Sequence, residues 1–358
     1  MVTRENLART IRWQRVGFDA LGCPFYAALS TELTQDLATD GPVTRLLLPY
    51  ADASFEAAYV LRLLAGVHRM ALAGDAPAVA AHFPSTGGDG DAQAAMAAMR
   101  DLLADPPAEI LDALTRPPQT NEVGRSVALL SGLLVVADET RLPIRAREMG
   151  ASAGLNSRCD SYWYEQDGMG WGRAQSRVRF VNLWNRGAPP FSAPLEIVDR
   201  RACDRDPIDA TRPEGALTLL SYVWPQPAER FTRAREAIAH ATHVPVTIDR
   251  ADVRDWLPAQ LRERHPGQAL VVFHSVFWQY LDAGIRATLR AHLADAGREA
   301  TPDAPLAWLR LEPNAENYVP AELRLTTWDG SPGTGRERLL ATTGFHGGPI
   351  DWLPGASS

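Results

Sequence analysis

The stretch Pro143-Ile-Arg-Ala-Arg-Glu-Met-Gly-Ala-Ser-Ala-Gly-Leu-Asn156 decides how the rest of the chain is read. Ile144 to Glu148 is a short extended run, and Gly150, Ser152 and Gly154 follow at every second position. A strand that feeds a tight turn and then a helix start has this shape. Small residues let a ligand approach the backbone, and free amides at a helix start favour anionic or polar groups. Similar turns also join strands to helices where nothing binds, so the stretch needs support from its surroundings.

Downstream, Leu195 to Asp199, Val244 to Ile248, Ala269 to Ser275, Leu306 to Pro313, Ala321 to Trp328 and Arg338 to Gly344 read as strands. Ala269-Leu-Val-Val-Phe-His-Ser275 is a continuous apolar run, as a strand buried on both faces requires. Ala228 to Ala241 and Val276 to Leu293 read as helices between them. That alternation implies an α/β fold with a largely parallel, doubly wound sheet. Arg158 to Tyr164 and Arg177 to Trp184 alternate and carry aromatics, which suggests a hairpin inserted at about 158–190 with its tip at Asp167 to Gly172. Upstream, residues 1–136 read as a helical domain, including Phe55 to Leu72 and Ala92 to Leu114. His68, among apolar neighbours in the first of these, is expected to be a satisfied core histidine. The sheet domain then spans 137–354, and Gly355 to Ser358 is a tail.

The 358 residues, 46% of them hydrophobic, suffice for two such domains. A net charge of −7 with no basic block argues against nucleic acid as a partner. Cys23, Cys159 and Cys203 are odd in number and far apart, so neither a disulfide framework nor a zinc site is expected. No apolar run approaches a membrane span, and the start lacks the apolar core of a signal peptide. The expectation is a cytoplasmic protein that binds a small molecule, without a metal, with its oligomeric state left open.

In a doubly wound sheet, ligands sit beyond the carboxyl ends of the strands. The residues there are Glu148 with Gly150, Ser152, Gly154 and Asn156, then Asp199 or Asp204, Asp252, His274 with Ser275, and Glu312. An acid after the second strand suits a ribose diol, and one after the third suits an adenine amino group. His274 and Ser275 stand where a substrate would meet a cofactor's reactive end. Before the helix at Ser126, Gln119, Asn121, Glu122 and Arg125 offer more hydrogen-bonding groups than a helix cap uses, and so suggest substrate recognition. Asp160 and Tyr162, on an alternating polar and aromatic face, join that set.

Four strings carry a family resemblance: Gln119-Thr-Asn-Glu-Val-Gly-Arg125, Gly150-Ala-Ser-Ala-Gly-Leu-Asn156, Ser221-Tyr-Val-Trp-Pro225 and Val271-Val-Phe-His-Ser-Val-Phe-Trp-Gln-Tyr280. By these the chain resembles DUF2332, a bacterial family of unknown function, over nearly its whole length. More remotely, the sheet half resembles class I S-adenosylmethionine-dependent methyltransferases. Their acidic-x-Gly-x-Gly-x-Gly loop matches Glu148 to Gly154, with Ser152 in the middle glycine's place. This resemblance implies a Rossmann-like, methyltransferase-type sheet beside the helical domain, S-adenosylmethionine as cofactor, and a small polar methyl acceptor. It puts the methionine end at the 148–156 loop, the ribose at Asp199 or Asp204, the adenine edge at Asp252, and a general base at His274.

Two other readings stay open: a non-catalytic small-ligand or nucleotide binder, and a serine hydrolase. The hydrolase would use Ser152, because Gly150-Ala-Ser-Ala-Gly154 also spells a nucleophile elbow, with Asp303 or Glu312 and His346 as partners. Two further departures matter. Arg145 and Arg147 occupy a strand that should be apolar on both faces, and so need exposure or acidic partners. Asp199 follows the loop by about fifty positions instead of the ~20 usual for a ribose acid, which demands an insertion.

Overall fold

A computed structural model describes residues 2–54, 57–314 and 320–353. The expected tail Gly355 to Ser358 and the first two residues of the expected 55–72 helix lie outside them. The chain divides into two compact units, Met1–Thr120 with Arg212–Arg235, and Asn121–Thr211 with Glu236–Ser358.

The first unit is helical. It comprises α1 (Val2–Ala20), α2 (Pro24–Thr39), α3 (Pro42–Leu47), α4 (Tyr59–Ala73), α5 (Pro77–Ala80), α6 (Ala92–Ala104) and α7 (Ala108–Thr115), with α9 (Pro213–Ser221) and α10 (Ala228–His240) up to Arg235. Proline opens α2, α3, α5 and α9, where its missing amide costs nothing. The single helix expected over 92–114 is two, because Pro106 and Pro107 interrupt it. Phe18 packs edge-on against Tyr26 and Trp224 in the core. His68 is fully buried there: Nδ1–H donates to the Ser221 carbonyl at 3.0 Å, and Nε2 accepts from Ser85 Oγ at 2.6 Å. Burial lowers its pKa to about 4. It is a satisfied core histidine.

The second unit holds α8 (Ser126–Thr140), β1 (Ile144–Met149), β2 (Trp163–Gln166), β3 (Met169–Gly172), β4 (Arg179–Val181), β5 (Trp184–Arg186), β6 (Ile197–Asp204) and β7 (Thr247–Arg250). There follow α11 (Val253–Arg262), β8 (Ala269–Ser275), α12 (Ala283–Arg298), β9 (Leu306–Pro313), β10 (Ala321–Trp328), β11 (Glu337–Thr343) and β12 (Ile350–Trp352). Nine strands form one mixed sheet in the order β5-β12-β11-β10-β9-β8-β1-β6-β7. From β9 through β8, β1 and β6 to β7 every pairing is parallel. From β9 through β10 and β11 to β12 every pairing is antiparallel, and β5 lies parallel to β12. Within the parallel half the strand order reverses between β1 and β8, which opens a crevice at their carboxyl ends. Leu306 and Trp308 of β9 pack into one core with Leu289 and Leu293 of α12 and Leu257 of α11. Leu309, on the opposite face, presses so closely on α8 that a Cβ at Gly132 would fall 2.3 Å from it.

Every residue of β1 is buried, its two arginines included. Arg147 donates to Asp199 at 2.5 Å and to Gln260 at 2.9 Å, while Arg145 donates to Glu263 at 2.8 Å and Asp199 at 3.3 Å. Burial works to raise the Asp199 carboxyl, but the Arg147 hydrogen bond and both guanidinium charges hold it below its usual range. The strand therefore buries arginines by pairing them with acids.

Two expectations are corrected. No α-helix follows the 150–154 loop. Asn156–Ser161 is a 3-10 helix, so Arg158 and Asp160 sit on a helix and not on a strand. The expected 158–190 hairpin is instead a small three-stranded sheet, in which β2 pairs antiparallel with β3 and parallel with β4.

Candidate functional site

Gly150, Ser152 and Gly154 all adopt positive φ, at 67°, 53° and 64°. A left-handed conformation at every second residue explains the spacing, since glycine takes it freely and serine under strain of about 1–3 kcal/mol. The loop is braced by its neighbours. The Ser152 amide donates to Asp204 Oδ2 at 2.7 Å, Ala151 to the Cys203 carbonyl at 3.0 Å, and Leu155 to Asn121 Oδ1 at 2.9 Å. Arg158 reaches back to the carbonyls of Ala153 and Gly154. A Cβ at Gly150 would lie 2.1 Å from the Phe277 ring, so glycine is what lets that ring lie against the loop.

Most of the expected recognition residues hold this frame. Asn156 Oδ1 accepts from Ser126 Oγ, Tyr162 Oη donates to the Leu155 carbonyl, and Asp160 pairs with Arg200 at 2.7 Å. Glu122 accepts from the Gly124 amide, and Arg125 donates to the carbonyls of Phe345 and Ser275, the last residue of β8. Gln119 belongs to the other compact unit. Glu148 is fully buried and accepts from Ser157 Oγ at 2.5 Å. Burial pushes its carboxyl up to about 7, against the opposing pull of Ser157 and Arg158.

Beyond the ends of β1, β6 and β7 lies a cavity of about 270 Å³, lined by Gly150, Asp204, Asp252 and Asp282 and walled by Phe277, Tyr280 and Ile285. It brings together three of the expected cofactor residues, Gly150, Asp204 and Asp252. Asp199 is not among its lining residues, because it lies near the start of β6 opposite Arg145. Asp252 also caps α11 through the Arg254 amide, and its hydrogen bonds with Arg254, which outweigh burial, hold its carboxyl at about 2.

At the end of the next strand, His274 is wholly buried and its Nδ1 lies 2.6 Å from Glu312 Oε1. Glu312 also accepts from the amides of Phe277 and Trp278, so its carboxylate fixes the proton on Nδ1 and leaves Nε2 as a lone pair. Burial lowers the imidazole's pKa despite Glu312, which keeps it neutral. Nε2 has no hydrogen-bond partner among the described residues. The ring stacks on Trp278 at 4.9 Å. The helix expected over 276–293 begins only at Ala283. Before it come Val276, at a φ of 49° that a β-branched residue rarely adopts, and a 3-10 turn at Trp278–Tyr280.

A second cavity, of about 640 Å³, opens beyond β9 and β10 and was not foreseen. Arg286, Arg290, Arg310 and Arg324 line it with Glu312, Glu322 and Glu337. The signal lay in spacing: Arg310 with Glu312 and Glu322 with Arg324 alternate on strands, and Arg286 with Arg290 share one helix face. Among the described residues no cluster of His, Cys, Asp and Glu could hold a metal, and no helix is long and apolar enough to cross a membrane.

Residues 8–352 match the profile of the family described as uncharacterized protein conserved in bacteria, DUF2332, and the chain belongs to that family. No curated protein and no solved structure matches it.

Proposed function

For this member of DUF2332 we propose that the sheet unit binds S-adenosylmethionine in the smaller cavity and methylates a small polar acceptor. The observation that carries this reading is the meeting of Gly150, Asp204 and Asp252, from the ends of three successive parallel strands, around one cavity. The strand order β7-β6-β1-β8-β9, with its reversal beside β1, supports a Rossmann-like, methyltransferase-type sheet. The lining fits the cofactor's polarity: Asp204 and Asp252 stand at the strand ends suited to the ribose and the adenine edge, and Phe277, Tyr280 and Ile285 offer apolar cover to an adenine. When bound, the cofactor supplies an electrophilic methyl group. The chain's own residues orient it and exclude water; His274, the base expected from the sequence, is wholly buried and does not line this cavity, so catalysis rests on positioning.

Isothermal titration with S-adenosylmethionine and S-adenosylhomocysteine tests the reading, beside an Ile285→Trp variant that fills the cavity. Micromolar binding to the parent, lost in a variant of unchanged melting temperature, is the expected result. No heat from folded parent protein would sink it. Binding without methyl transfer to any acceptor would leave a ligand-binding module.

One observation favours a second reading. Ser152 keeps a left-handed φ that glycine would adopt without strain, as the nucleophile of a hydrolase elbow does, although here a 3-10 helix stands where the elbow has an α-helix. Covalent labelling of Ser152 by a fluorophosphonate is the outcome that reading requires.

A further inference from the structure

The larger cavity carries an inference of its own, independent of what the smaller one binds. Its three glutamates are already engaged. Glu312 holds His274 and two amides, Glu322 accepts from Arg324 and Asn314, and Glu337 accepts from Arg310 and Arg324. The positive charge is in surplus. Arg286 and Arg290 make no ion pair among the described residues, and Arg290 rests only over the Trp278 ring, 5.3 Å from its centre. Two donors in the lining are also unmatched: Arg310 Nε and Trp278 Nε1 are buried without a hydrogen-bond partner among the described residues, on residues 9% and 7% exposed. A buried donor left without an acceptor is destabilising. The strand register adds to the cost, since Arg310 faces Arg324 directly across β9 and β10, and Glu312 faces Glu322. Like charges placed opposite one another on a sheet are destabilising. These costs converge on one concave surface of a size that takes a small organic molecule.

We propose that this cavity is a binding site for a small molecule bearing an oxyanion, carboxylate or phosphate, received by Arg286 and Arg290, with Arg310 and Trp278 in its wall. An oxyanion accepts from several donors at once, and guanidinium groups match its geometry.

The test titrates the full chain calorimetrically with inorganic phosphate and with succinate, each against chloride at the same ionic strength. The comparison protein is the double variant Arg286→Gln with Arg290→Gln. Neither side chain makes an ion pair among the described residues, so the variant is expected to keep the parent's melting temperature. The expected result is saturable binding of at least one oxyanion, weakened tenfold or more in the variant. Saturation by phosphate alone assigns a phosphorylated ligand, and by succinate alone a carboxylate. The proposal is overturned if neither anion exceeds chloride, or if the variant binds as tightly as the parent. Should the variant melt early, protection decides instead. Phosphate or succinate that fails to slow acrylamide quenching of the parent's tryptophans beyond chloride also overturns the assignment.

Discussion

The two cavities share one wall and differ in sign. Phe277, Tyr280, Leu281 and Asp282 face the smaller, and Trp278 and Gln279 of the same segment face the larger. The smaller presents three aspartates beside Arg205, and the larger four arginines against three glutamates. Topology accounts for the difference. Parallel strands run into helix starts and loops, whose free amides select acids. Asp252 caps α11, Asp282 caps α12, and Asp204 holds the Ser152 amide. The antiparallel strands β9 to β11 need no such caps at each end, and carry charge along their faces instead. A single sheet edge thus acquires an acidic half and a basic half from its connections.

The comparison sharpens in the two strand-end glutamates. Glu312 accepts from three residues, whereas Glu148 is wholly buried and accepts from one, Ser157, through its hydroxyl and its amide. Glu312→Ala strands the His274 Nδ1–H and two amides in the shared wall, and is expected to cost about 3 kcal/mol or more. A shift in urea midpoint worth under about 1 kcal/mol would show that the wall does not depend on it. Glu148 carries a pH signature. Its folded pKa, about 7, exceeds the unfolded value of 4.5, so the native state binds the proton more tightly between those limits. Its contribution to stability is therefore present below pH 4.5 and falls as pH rises towards 7, by about 3 kcal/mol at most. In Glu148→Gln that decline should vanish, as urea unfolding across pH 5 to 8 would reveal; an unchanged profile contradicts the assignment.

Smaller effects probe the caps. Asp252→Ala is expected to cost about 1 kcal/mol, read as the change in midpoint, and no change would mean that α11 does not need its cap. Ser152→Gly runs the other way. It relieves a left-handed serine and should raise stability by up to about 1 kcal/mol, and a loss would show that the serine side chain contributes more than its backbone strain removes.

Elements buried on both faces were the most legible part of the chain. β8 is buried throughout and begins and ends as expected, because continuous burial leaves few alternatives to an apolar run, and β9 and β10 also keep their expected bounds although β10 is only partly buried. The 150–154 loop was legible as a turn but not as to its sequel. Its small residues answer a backbone need that the letters show, while the 3-10 segment Asn156–Ser161 is held by tertiary bonds such as that from Arg158 Nε to the Val244 carbonyl. Acids at strand ends were found, yet sequence could not tell Asp204, which lines the cavity, from Asp199, which neutralises Arg145 and Arg147. The arginine cavity is not legible as a whole, since α12, β9 and β10 contribute to it from separate parts of the chain, and the local spacing of their charges does not say that they meet.

The first unit is written in two instalments. Its α9 arrives only after β1 through β6 of the other unit have been spelled out, and His68 finds its carbonyl acceptor 153 positions downstream, at Ser221. During synthesis the first 120 residues must therefore wait with part of their core open, while residues 121–211 emerge with their own sheet incomplete. Neither unit can be cut free as one continuous fragment. A truncation ending at Thr120 would lose Trp224 from the Phe18 cluster and the carbonyl that His68 needs. The two units are interleaved in sequence, with the nested piece acting as a stitch between them.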